Sequence, residues 1–122
     1  MNWELKSDRP IYLQLMEQIK LKIVSGQYPP GERLASVRDM AQEASVNPNT
    51  MQKALSELER DGLVISQRTS GRFITEDKAA IDRIREGLLM EQIAGFLTQM
   101  EKLGLSRAEM LELMAKAEGE TN

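Results

Sequence analysis

Asn47, Asn49, Thr50, Gln52 and Lys53 crowd the front of one helical pattern, and each side chain can hydrogen-bond to a polar edge or hold an anion. Asn and Gln carry the donor–acceptor pair that fits adenine, and Lys reaches guanine or a phosphate. Arg38 lies upstream, near the start of another helical pattern, where it suits a phosphate; Ser36 opens that pattern. Arg68 and Arg72 flank Ser70 and Gly71 at the tip of a hairpin pattern, placed for a minor groove or for the sugar–phosphate backbone. Catalytic chemistry has far less to work with. The chain has no His and no Cys, which removes the commonest general base, the commonest metal ligands and every Cys/His nucleophile. The carboxylates are spread along helices with no pair around a cleft, so the chain is not expected to be an enzyme, and no cofactor or metal is expected.

Three helices and a hairpin must position these side chains. Pro10 opens the first helix at its first turn, and Ile11, Leu15, Ile19 and Ile23 recur at helical spacing up to a Gly26 C-cap. Residues 28–34, with two prolines and a glycine, form a turn. Ser36 starts the second helix, with Asp39 three residues on as a capping partner, and it ends near Ser45-Val46. Asn47-Pro48 starts the third helix, which runs to about Asp61 with Met51, Ala54, Leu55 and Leu58 inward. Residues 63–66 and 72–75 read as strands, with 67–71 as the tip.

The remainder reads as a helical tail. Thr75 or Asp77 caps a long helix whose apolar stripe is Ile81, Ile84, Leu88, Phe96, Leu97, Met100 and Leu103, with Leu89 and Ile93 on its flank. Gly104 breaks it, and Ser106-x-x-Glu109 is a capping box for a last helix with Leu111, Met114 and Ala115, frayed after Ala117. A short last helix cannot cover so long a stripe, so a symmetric second copy is the simplest cover, with folding back onto the head as the other solution. The expected dimerisation set is the stripe together with Leu111 and Met114.

The 122 residues allow one domain and an appendage. Net charge is −3, unpromising for a polyanion partner, but the acid sits in the tail: residues 76–122 carry six Lys and Arg against ten Asp and Glu, residues 1–75 ten against nine. Binding must therefore rest on where the basic groups stand. No signal-peptide pattern opens the chain and no apolar run approaches a membrane span, so a cytoplasmic protein with no membrane partner is expected.

The order helix, helix, turn, helix, hairpin describes a winged helix-turn-helix, with the third helix in the major groove. Each residue has a plainer reading too. Asn47 serves equally as a helix cap, Arg38 could pair with Asp39 or Glu43, and Arg68 and Arg72 could be charges guarding an edge strand. Their coincidence on the elements that meet DNA favours the DNA reading. Residues 10–75 resemble the winged-helix domain of GntR-type bacterial regulators. The matching stretches are Pro10-Ile11-Tyr12-Leu13-Gln14, 26–34, Ser36-Val37-Arg38-Asp39-Met40-Ala41, Val46-Asn47-Pro48-Asn49-Thr50-Met51 and 58–64. Ala35 stands where that family commonly has proline, and Thr69 where its wing often has a first glycine.

The resemblance implies that Arg38 contacts phosphate and base, that Asn47, Asn49, Thr50 and Gln52 face DNA, and that 68–72 form the wing tip. The short tail resembles the YtrA-type branch, where it serves dimerisation. The expected fold is thus mainly α with a small β-hairpin: a winged helix-turn-helix over 1–75 and a two-helix dimerisation tail over 76–122. The expected function is a homodimeric regulator of transcription, a repressor by family likeness, on an inverted-repeat operator in double-stranded DNA. Two alternatives stay open. One is a winged helix used only for protein interaction. The other is a repressor gated by a small-molecule effector between tail and head, where Met40, Met51, Met90, Met100, Met110 and Met114 could line an apolar cavity, although core packing is the better reading of such methionines.

Overall fold

The computed structural model describes residues 3–121. The elements are α1 (Ile11–Val24), α2 (Val37–Ala44), α3 (Pro48–Arg60), β1 (Val64–Gln67), β2 (Gly71–Ile74), α4 (Lys78–Lys102) and α5 (Arg107–Thr121). This is the expected mainly α fold with one antiparallel hairpin. The chain divides into two compact units between Arg85 and Glu86.

In the first unit, α1 turns Leu15, Ile19 and Ile23 inward against Met51, Ala54, Leu55 and Leu58 of α3, and Met40, Ala41 and Ala44 of α2 close the same core. Pro10 is the N-cap of α1 rather than its first helical residue. Ser45 ends α2 in the left-handed region at φ 58, an uncommon conformation for a residue with a Cβ. Its N–H and that of Val46 bond back to the carbonyls of Gln42 and Ala41, so the chain reverses within three residues and enters α3. This is the turn of the helix-turn-helix.

The segment 31–34 docks on the outer edge of β2. The Leu34 N–H donates to the Arg72 carbonyl (2.9 Å), the Ile74 N–H to the Glu32 carbonyl (2.8 Å), and Arg33 bridges Phe73. The sequence marks 28–34 as turn throughout; its second half is in fact a third, bridged line beside the hairpin. The strands themselves sit one residue off expectation, β1 later and β2 earlier, leaving Arg68-Thr69-Ser70 as the loop.

An N-terminal strap lies along α1, held by two glutamine side chains that mimic a partner strand. The Gln14 amide, 2% exposed, accepts from the Lys6 N–H (2.7 Å) and donates to the carbonyls of Lys6 and Arg9. Gln18 repeats the pattern on Glu4. Trp3 then receives the ammonium of Lys22 3.5 Å above its ring, and burial pushes the Lys22 pKa down.

The long helix α4 begins in the first unit. Asp77 caps it, accepting from the N–H groups of Ala79 and Ala80, while the Thr75 hydroxyl accepts from the Asp77 N–H. Ile81 is 5% exposed in the core of this unit, with Ile84 packed beside it. These two head the expected dimerisation stripe, yet in the single chain they already have their cover. Arg85 fastens the same stretch, its guanidinium donating to the Val24 carbonyl at the end of α1.

The second unit holds the rest of α4 and α5. Leu89, Ile93, Phe96, Met100 and Leu103 follow one another at steps of four and three, the spacing of a coiled-coil seam. Leu89, Ile93, Phe96 and Leu103 are exposed, Leu103 at 74%. Leu88, Leu97 and Met100 are half-buried. So Leu89 and Ile93, expected on the flank, belong to the exposed row itself. Ser106 and Glu109 form the expected reciprocal capping box, which holds the Glu109 carboxyl below its ordinary pKa. Helix α5 continues past Ala117, the expected point of fraying. Leu111 and Met114 are exposed, whereas Met110 is buried. Of the methionines, Met40 and Met51 are in the first unit's core, and Met90 and Met114 are exposed. No described helix is long and apolar enough to cross a membrane.

Candidate nucleic-acid interface

Helix α3 has one face for the core and one for a partner. Met51, Ala54, Leu55 and Leu58 are 0% exposed. At about 100° per residue the opposite face carries Asn49, Gln52, Lys53, Ser56 and Arg60, all exposed. Ser56 and Arg60 extend the expected set by two turns, a continuation that the spacing from Asn49 already contains. Gln52 donates to the Ser56 hydroxyl (3.3 Å), and the Lys53 ammonium lies 3.8 Å from the Tyr12 ring centroid, which steers it along the α1 side. Asn47 does cap the helix: its Oδ1 accepts from the Asn49 N–H at 2.7 Å. Thr50 is half-buried at the edge of the face.

On α2, Ser36 is the N-cap, its hydroxyl accepting from the Asp39 N–H. Arg38 is exposed and pairs with neither Asp39 nor Glu43. At the wing, the Ser70 N–H closes a turn on the Gln67 carbonyl (3.2 Å), and Gly71 follows at φ +99, a conformation that glycine adopts without strain. Arg68 stands exposed on this loop, and Ser70 is half-buried.

Arg72 does something else. Its guanidinium Nε donates to the Glu59 carboxylate of α3, with the two side chains 18% and 29% exposed. Arg72 and Arg68 look alike in the sequence, both flanking the tip. The structure separates them: Arg68 is open, and Arg72 is a strut between wing and α3.

Between the hairpin and α2 lies an open cleft of about 960 Å³, lined among others by Tyr28, Arg33, Ser36, Glu43, Arg68 and Gly71. Burial pushes the Tyr28 phenol up to about 12, and the carboxylates of Glu43 and Glu32 add to the shift. A folded pKa above the unfolded value of 10.0 means stability fully present below pH 10 and lost as pH rises through about 12. Absorbance titration of the phenolate band should show a late phase that Tyr28→Phe removes. The thermal midpoint of the wild type should fall more steeply across that window than the variant's.

The comparisons with known proteins agree with this geometry. The family model described as bacterial regulatory proteins, gntR family, matches residues 11–74. Over 112 residues the chain is 44% identical to the HTH-type transcriptional regulator YhcF of Bacillus subtilis, covering 92% of this chain and 93% of that protein. It is 32% identical to the HTH-type transcriptional repressor YtrA of the same organism, over 88% of this chain and 83% of that one. Among solved structures, a GntR family transcriptional regulator from Listeria monocytogenes superposes with a TM-score of 0.85 at 33% identity, covering 92% of this chain and 98% of that one.

Proposed function

The chain belongs to the GntR family of bacterial regulatory proteins, in its YtrA-type branch, and is a DNA-binding regulator of transcription; from that premise we propose that it is a homodimeric repressor of an inverted-repeat operator, with residues 1–75 reading DNA and 76–122 holding the dimer. One observation carries the reading. A helix packed on one face by fully buried residues presents on the other only hydrogen-bonding and basic groups, and the exposed Arg38 and Arg68, without an ion-pair partner among the described residues, stand on the elements that flank it.

In this arrangement Asn49, Gln52 and Lys53 meet base edges in the major groove, Asn47 and Thr50 border them, and Ser36 and Arg38 hold phosphate. Arg68, Ser70 and Gly71 lie against the neighbouring minor groove. The dimer uses the row of exposed Leu89, Ile93, Phe96 and Leu103 with half-buried Met100, and Leu88, Leu97, Leu111 and Met114 around it. Two copies set two α3 helices on half-sites about one DNA turn apart or a multiple of it. Doubling matters because each head is almost neutral. Repression follows by operator occlusion of the polymerase.

The test is selection of bound duplexes from a random pool with the full chain, then titration of the selected operator. An inverted repeat is expected. Arg38→Ala and Arg68→Ala should each weaken binding with the fold intact, and removing one phosphate ligand in this way should lower the salt slope by about one. Affinity unchanged in both variants would sink the assignment of these residues.

A further inference from the structure

In the sequence Arg33 is one residue of a turn, and neither the family likeness nor the wing pattern singles it out. The structure puts it beside the wing. Arg33 bridges Phe73 of β2, so its side chain runs diagonally across the hairpin toward Gly71. A Cβ built at Gly71 would meet the Arg33 guanidinium at 3.5 Å from Nε and 3.6 Å from Nη2. The guanidinium therefore lies beside the wing glycine, at contact distance from where a side chain there would begin, on the wall of the cleft that Arg68 also lines.

Its partners decide what it does. Four arginines of the first unit hold carboxylates: Arg9 with Glu17, Arg60 with Glu57, Arg72 with Glu59 and Arg85 with Asp82. Among the described residues Arg33 has no carboxylate within salt-bridge distance and its side chain makes no hydrogen bond, and it is exposed. The carboxylates of the cleft, Glu32, Asp39 and Glu43, sit on the turn and on α2. At the hairpin end the charge is basic.

We infer that Arg33 is the wing's second DNA-binding arginine, taking the place the sequence pattern offers to Arg72, and that it binds a backbone phosphate beside the groove entered by the tip. The inference rests on the DNA reading of the wing. Gly71 is required by its φ of +99, and the space beside it is where the Arg33 guanidinium lies. A planar fork donor laid across a turn suits a phosphate, which accepts two parallel N–H bonds.

The experiment compares Arg33→Ala, Arg33→Lys and Arg68→Ala in the full chain on the selected operator and on scrambled duplexes, by anisotropy across a salt series. Arg33→Ala should weaken binding to all sequences alike and flatten the dependence of log K on log salt by about 0.9 per protomer. Arg33→Lys should keep the slope, because the point charge remains. If Arg33→Ala binds as the wild type while Arg68→Ala is weakened, the inference is overturned and the wing reading stands. A loss confined to one base pair, with an unchanged slope, also overturns the phosphate assignment. If Arg68→Ala too has no effect, the DNA reading of the wing itself has failed.

Discussion

Replacing Phe96 by Asp is expected to turn the proposed dimer into single chains and to weaken operator binding by at least about a hundredfold, the lower end of what linking two binding modules contributes. The effect should be large because of where Phe96 stands. It is the central member of the row Leu89, Ile93, Phe96, Met100 and Leu103, and in the single chain it is 43% exposed. A carboxylate there costs the isolated chain little, since water reaches it. Against a second copy of the row the same carboxylate would be buried without a partner, at a cost of several kcal/mol. The variant should thus keep its helical content while sedimenting at half the wild-type mass. Phe96→Leu, which keeps an apolar knob, should remain dimeric. A dimeric Phe96→Asp protein would show that the seam lies elsewhere. A monomeric one with undiminished operator affinity would show that the two heads do not act together.

What the sequence discloses follows a physical rule. Features made by neighbours along the chain are readable: the Asn47 cap before Pro48, the Ser106–Glu109 box and the inward Met51, Ala54, Leu55 and Leu58 all depend on short spacings along one helix. Features made between elements are not. Arg72 and Glu59 are 13 positions apart and meet only because the hairpin folds back beside α3. Arg33 reaches Gly71 through a single bridged pair, too short a strand to leave an alternating pattern. The tail shows the same limit. Its apolar residues read as one continuous stripe, but a stripe does not name its cover. Ile81 is covered by the head's own core, whereas the row from Leu89 onward stays largely open in the single chain.

The separation of the two faces of α3 makes a second large effect predictable. Leu55→Ala should lower stability by about 2–5 kcal/mol, the range for truncating a fully buried leucine. Leu55 is 0% exposed between α1 and the rest of the core, so the neighbours can close on the gap only in part. For a unit of this size each kcal/mol moves the thermal midpoint by roughly 4–8 °C, so a fall of about 10 °C or more is expected. Operator affinity measured well below the midpoint should nevertheless stay within about threefold, because Asn49, Gln52 and Lys53 lie on the opposite side and their backbone is held at both ends, by the Asn47 cap and by the Arg72–Glu59 strut. Arg38→Ala should do the reverse, leaving the midpoint nearly unchanged and the affinity reduced. Finding that Leu55→Ala weakens binding in proportion to its loss of stability, even in the cold, would mean that the outer face is shaped by the packing beneath it. The DNA-facing residues would then be a consequence of core geometry, and the two faces of α3 could not be treated as independent.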